Sequence, residues 1–193
     1  QDMKEKKMSC FVVNLMGGPG AGKSTAAAYI FSKLKMMGIN AEFITEFAKD
    51  KVYEKNYIAI RNQLYIFAEQ YYKLNCCKDQ VDVIVTDSPI FMSLVYNIEY
   101  SSEASMGKTF DKLVVETYNS FDNLTYYINR IADYNPSGRL QKTKEEADLL
   151  GEKILKELKK YKIKFKIKDG NIESCEEIVE DIIKKLKEKN LIE

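Results

Sequence analysis

The stretch CFVVNLMGGPGAGKSTAAAYI, residues 10–30, decides the fold. Its first seven residues form an apolar run that stops at a glycine pair, as a buried parallel strand does where the chain leaves a sheet. From Lys23 onward, Tyr29, Ile30, Leu34 and Met37 recur near helical spacing until Gly38, which predicts a helix with a stop signal. Between strand and helix, Gly17, Gly22, Lys23 and Ser24 satisfy G-x-x-x-x-G-K-[ST]. Glycines let successive backbone N–H groups turn inward around phosphate oxygens, and the helix N-terminus adds its own N–H groups and positive dipole end. Gly18, Gly20, Ala21, Gly22, Lys23, Ser24 and Thr25 are therefore expected to hold a nucleotide. Lys23 would bridge the β- and γ-phosphates, the Ser24 hydroxyl would ligate Mg²⁺, and Thr25 would contact the α-phosphate.

Working outward, strands are expected at 40–46, 81–89, 123–130 and 162–168. A helix with Ile60, Leu64, Phe67, Tyr71 and Leu74 on one face separates the first two. Helices near 108–120 and 143–160 follow, and a closing helix carries Ser174 and Glu177 at capping-box spacing. Strands alternate with helices from end to end. This predicts an α/β fold with a mainly parallel five-stranded sheet, helices on both faces, and one domain over 10–193 after a flexible tail at 1–9. Residues 130–143 contain Pro136 and Gly138 and are expected to form a short lid.

Composition narrows the chemistry. The chain has no histidine, so acid–base work falls to carboxylates, Lys or Tyr. Its 30 basic and 29 acidic residues leave a net charge of +1, which does not favour DNA as a partner. Cys10, Cys76, Cys77 and Cys175 form no CxxC pair and are expected to be reduced thiols. No apolar run approaches membrane-spanning length and the start lacks a signal-like core, so a cytoplasmic location is expected.

Nucleotide binding leaves the phosphate acceptor open, and further residues bear on it. Glu46 ends the second strand, where an open parallel sheet faces its ligand crevice, and can accept a proton from an attacking hydroxyl; Asp50 follows one helical turn later. Asp87 ends an apolar strand expected beside the first, the usual position of a carboxylate acting through Mg²⁺. Both carboxylates stand as candidates for the general base. Arg130 and Arg139 flank the lid segment and could neutralise charge on a transferring phosphoryl group; the only other arginine is Arg61. In RNQLYIFAEQYY, Gln63 could read a base or amide, with Arg61 nearby, whereas Phe67 and Tyr71 read as core.

With these pieces placed, the chain resembles the P-loop small-molecule kinases, and in particular the ribosylnicotinamide kinase domain of the bacterial NAD-biosynthesis regulator and its phage and bacterial AAA-type relatives. The resemblance spans roughly residues 10–185 and rests on GGPGAGKST, TEFAKDKVYE, NQLYIFAEQ, VIVTDSP and NRIADYNPSGR. It implies ATP- and Mg²⁺-dependent phosphoryl transfer to a hydroxyl of a nucleoside-like or nucleotide-like small molecule, in a bacterial or phage-encoded protein. Phage relatives also include kinases acting on 5-hydroxymethylpyrimidine in DNA, which is one alternative. A P-loop ATPase switch is another. Oligomeric state is not readable from the sequence.

Overall fold

β1 (Phe11–Met16) is buried along its whole length and forms the centre of the molecule. Its side chains alternate. Phe11, Val13 and Leu15 enter one core layer, and Val12 and Met16 enter the other. Asn14 is the polar exception; its amide donates to the Val12 carbonyl at 3.2 Å and to Asn123 Oδ1 at 2.9 Å, so its burial leaves no donor unmet. The computed structural model describes residues 10–100, 107–137, 139–141 and 143–193. The expected tail at 1–9, and Gly138 and Lys142 of the expected lid, lie outside the described residues.

The chain continues through α1 (Lys23–Met36), β2 (Ala41–Ile44), α2 (Phe47–Tyr53), α3 (Tyr57–Arg61), α4 (Gln63–Cys77), β3 (Val83–Thr86) and α5 (Met92–Tyr100). α6 (Gly107–Asn119), β4 (Asn123–Asn129), α7 (Lys144–Lys160), β5 (Lys166–Asp169) and α8 (Ile172–Glu188) complete it. The five strands form one parallel sheet in the order β2-β3-β1-β4-β5, as the alternation predicts. α1 and α8 pack on one face around Ile30, Leu34, Ile178 and Ile182. α4, α5, α6 and α7 cover the other around Phe67, Leu94, Phe110 and Ile154. Each of these side chains is almost wholly withdrawn from water, a gain of roughly 1.5–3 kcal/mol apiece before entropy is counted. Among the described residues, no helix is long and apolar enough to cross a membrane.

The details differ from the sequence reading in four places. Met37 is half exposed because α1 has already ended there: Gly38 adopts φ +77°, and Ile39 N–H bonds the Leu34 carbonyl at 3.0 Å, so Ile39 fills the place expected for Met37. The helix expected around residues 60–74 is two helices. Asn62 leaves helical geometry and its side chain caps Tyr65 N–H, which rotates α4 so that Gln63, Ile66, Phe67, Gln70 and Leu74 face inward and Leu64 and Tyr71 outward. The first residues of the strand expected at 162–168 instead close α7, with Lys162 at φ +56° and Ile163 N–H bonded to the Leu158 carbonyl. Finally, Asn171 rather than Ser174 caps α8; Ser174 sits in its first turn and accepts from Asp169 N–H.

In a parallel sheet every strand delivers its carboxyl end to the same edge. β1 leads into the glycine loop, β2 into Glu46, β3 into Asp87 and β4 into Arg130. The topology alone therefore gathers residues more than a hundred positions apart at one rim.

Candidate active site

The loop after β1 turns on two left-handed glycines, Gly20 at φ +74° and Gly22 at φ +88°. Gly22 is also the N-cap of α1 and has no side chain to offer, so the first-turn N–H groups of α1 have no side-chain cap. Lys23 is half-buried, and its ammonium folds beneath the loop to donate to the Gly17 carbonyl at 2.9 Å and the Gly18 carbonyl at 3.1 Å. Burial holds its pKa below that of an ordinary lysine, while the carboxylates of Glu46 and Asp87 pull it back up.

Glu46 occupies the N-cap position of α2, yet its side chain makes no capping hydrogen bond. Burial raises its pKa above the usual carboxylate value, and Asp87 adds to that rise, while Lys23 opposes it. A carboxyl group so placed is a better proton acceptor than a solvated one. Asp87 is buried directly after β3, where Thr86 Oγ1 accepts from Ser88 N–H and turns the chain. Asp87 Oδ1 has no hydrogen-bond partner among the described residues. A buried carboxylate oxygen without a donor suits a hard cation, and Ser24, in the first turn of α1, lines the cavity with Lys23 and Glu46. No group of three or more metal-ligating side chains occurs among the described residues.

A cavity of about 330 Å³ opens beside the loop. Residues 19–25 form its floor and Glu46 stands at its side. The wall contributed by α2, α3, α4 and α5 includes Lys49, Val52, Tyr53, Ile60, Gln63 and Tyr96, a mixed surface of aliphatic and aromatic groups with one ammonium and one amide. Gln63 is 3% exposed; its Nε2 donates to the Ile60 carbonyl at 2.6 Å, which fixes the amide's orientation, and its Oε1 has no partner among the described residues. Arg139, Leu140 and Gln141 come in from the segment after β4.

Two arginines of that segment have different positions. Arg139 lines the cavity, and its guanidinium donates to the Asn135 and Ser137 carbonyls. Arg130 does not reach the cavity wall; it donates to the Pro19 carbonyl at 3.1 Å and forms an ion pair with Asp148 on α7. Tyr134 lies between them, 5.0 Å from the Arg130 guanidinium carbon and 5.9 Å from that of Arg139, with its ring against Gly20. A Cβ on Gly20 would sit 3.1 Å from that ring.

Lys23, Ser24, Thr25, Glu46, Gln63 and Arg139 thus share one cavity, with Asp87 buried near enough for Lys23 and Glu46 to feel its charge. Asp50 and Arg61 are exposed and do not reach the wall. On α2 the wall is built from Ala48, Lys49, Val52 and Tyr53, the face from which Asp50 is turned away. Gly18 lies behind the loop, buried, where its backbone hydrogen-bonds the Tyr127 phenol. Sequence reasoning missed Tyr134, whose signal was an aromatic residue between the two arginines of a Pro/Gly segment. It also missed the wall residues Val52, Tyr53 and Tyr96, which carried no signal beyond their apolarity.

The family model described as an AAA domain matches residues 12–174. No curated protein matches the sequence. Among solved structures, a NadR protein in complex with NR superposes with a TM-score of 0.64 at 19% identity, covering 91% of this chain and 51% of that one. A NadR protein in complex with NAD and AMP-PNP gives 0.65 at 17% identity, over 95% and 50% of the two chains. This chain therefore spans about half of the length of those NadR chains. Deoxyadenosine kinase from M. mycoides with bound dCTP gives 0.57 at 21% identity, over 92% of this chain and 99% of that one. The chain belongs to the AAA-domain family, built on the P-loop α/β fold that it shares with NadR and deoxyadenosine kinase.

Proposed function

We propose that this protein is a kinase that transfers the γ-phosphoryl group of ATP to a hydroxyl of a nucleoside-like small molecule. The observation that carries the reading is Glu46: a carboxylate not used as a cap, with a raised pKa, in one cavity with the phosphate loop and with aromatic and aliphatic side chains that could seat an acceptor. An ATPase switch has no need of a walled compartment beside its γ-phosphate, whereas a kinase must seat an acceptor there.

In this reading Lys23 leaves the Gly17 and Gly18 carbonyls for the β- and γ-phosphate oxygens. Ser24 and Asp87 would hold Mg²⁺, which supplies charge neutralisation on those oxygens when bound. Glu46 orients the acceptor hydroxyl and takes its proton as the acceptor oxygen bonds to the γ-phosphorus and ADP leaves. Arg139 faces the developing charge from above. Arg130 is a fastening between the lid root, the loop and α7. Most of the rate comes from positioning and electrostatics, since phosphoryl transfer needs little covalent help.

Gln63 sharpens the acceptor class. Its Nε2 is engaged by the Ile60 carbonyl, and its Oε1 is a buried acceptor in the cavity wall that lacks a donor among the described residues. A base or carboxamide with an N–H satisfies it; leaving it buried and unmet costs about 1–3 kcal/mol. The test is γ-labelled ATP with a panel of nucleosides, nicotinamide riboside and hydroxymethylpyrimidine-containing DNA, resolved by chromatography. Label is expected on a small acceptor bearing an amide or amino N–H. Label recovered only as inorganic phosphate with every acceptor would overturn the kinase reading.

A further inference from the structure

Gln70 stands two turns after Gln63 on α4, on the same inward face, and is 2% exposed. A buried primary amide must find partners, and the partners it finds are the backbone groups on either side of Glu46. Its Nε2 donates to the Thr45 carbonyl at 3.4 Å and its Oε1 accepts from Phe47 N–H at 3.4 Å. This is the pattern by which one residue of a parallel strand bonds the residues before and after its neighbour. β2 ends at Ile44, where its pairing with β3 also ends, at Thr86. The side chain of Gln70 thus supplies one more rung to a ladder that has run out of strand.

The rung falls at Glu46, which makes no hydrogen bond of its own to fix its backbone as a cap. Thr45 is exposed, and Phe47 is held through its ring, edge-on to Tyr65 at 5.5 Å and beneath the Lys51 and Lys73 ammoniums; the Gln70 bonds act instead on the backbone groups on either side of Glu46. Both bonds are long, so their value lies in direction: together they define the plane of the peptide groups from which the Glu46 side chain departs. α4 then carries two buried amides, Gln63 in the cavity wall and Gln70 at the corner from which the Glu46 side chain departs.

We propose that Gln70 is a positioning residue that orients Glu46 by clasping the β2–α2 corner. The proposal rests on Glu46 being the general base. Displacing a catalytic group by a fraction of its working distance costs up to about 10²-fold in rate, and that is the scale on which Gln70 acts.

The test is a double-mutant cycle in the full chain with Gln70→Met, which keeps length and apolar volume while removing both hydrogen bonds, and Glu46→Gln. Gln70→Met is expected to lower kcat by about 10-fold to 10²-fold with KM for ATP unchanged. In the Glu46→Gln background, Gln70→Met is expected to produce no further loss, because there is no base left to misalign. Amide exchange at Phe47, followed by NMR, is expected to quicken in Gln70→Met with or without the Glu46 substitution. Wild-type turnover in Gln70→Met overturns the proposal, as do losses that multiply in the double variant, which would mean that Gln70 acts elsewhere. Failure of the parent reading shows separately: if Glu46→Gln alone keeps wild-type turnover, Glu46 is not the base and the clasp has no catalytic object.

Discussion

Glu46 and Lys23 are both half-buried, and each is pushed toward its neutral form by desolvation while the other's charge pulls it back. For Glu46 the desolvation dominates, and this has a consequence for stability. Its folded pKa lies above the ordinary 4.5, so above that pH the native state still holds a proton that the unfolded chain has released. Stability therefore falls as pH rises from 4.5 through the folded pKa, and levels off beyond it. Glu46→Gln abolishes the titration. Measured against their difference at about pH 4, the variant is expected to gain on the wild type across that window and to hold a constant gain above it. Urea unfolding at a series of pH values from about 4 to about 8 measures it; a gain that shrinks with rising pH would show that Lys23 overcompensates the burial. If Glu46 has the proposed role, the desolvation that raises its proton affinity also costs the fold stability above the folded pKa.

At the scale of elements, the phosphate loop depends on a helix that contributes no side chain to the cavity. α7 crosses behind the loop and comes close at Gly151, which is buried and where an added Cβ would lie 2.8 Å from the Tyr127 hydroxyl. That hydroxyl is the one bonded to the Gly18 backbone, so helix, strand and loop meet at one atom. Gly151→Ala gains helix propensity of about 1 kcal/mol in isolation. The buried phenol cannot retreat without leaving Gly18, and overpacking of this kind costs about 1–3 kcal/mol. The substitution is expected to lower the Tm, by roughly 2–4 °C for each net kcal/mol in a chain of this size. Adding Tyr127→Phe removes the clashing oxygen and should recover part of the loss, which calorimetry of the two single variants and the double variant would reveal. A double variant no more stable than Gly151→Ala would remove Tyr127 from the account. Contacts like this were not legible in the sequence. Nothing in the chain around residue 151 points to Tyr127, and the meaning of Gln70 depends on where β2 ends. The legible parts came from chain-local rules: the loop from its glycine spacing, and Glu46 and Asp87 from their places at strand ends. Asn62 shows the limit, because a helix cap inside an apolar 3.6-residue pattern turned α4 and exchanged Leu64 and Tyr71 for two glutamines.

On the scale of the whole molecule, the cavity draws on the segments after β1, β2 and β4 and on α4 and α5, with Asp87 after β3 close enough for its charge to act on Lys23 and Glu46. No fragment of the unfolded chain reproduces that arrangement, so a nucleotide that binds there binds only the native state. Linkage then fixes the size of the effect: ligand at about one hundred times its Kd adds about 2.7 kcal/mol to unfolding. For a chain of this length that corresponds to a Tm rise of about 5–11 °C. Lys23→Ala keeps the sheet and the two hydrophobic layers, since Lys23 contributes to neither. It removes the cation beneath the loop, and the rise over the variant's own baseline should largely vanish. Scanning calorimetry of both proteins with and without Mg²⁺–ATP makes the comparison. An equal rise in both would place the nucleotide somewhere other than the loop at 17–25. A rise in the wild type alone would tie nucleotide binding at Lys23 to the cooperative stability of the entire sheet, because the edge of the sheet that binds is the edge to which every strand contributes its end.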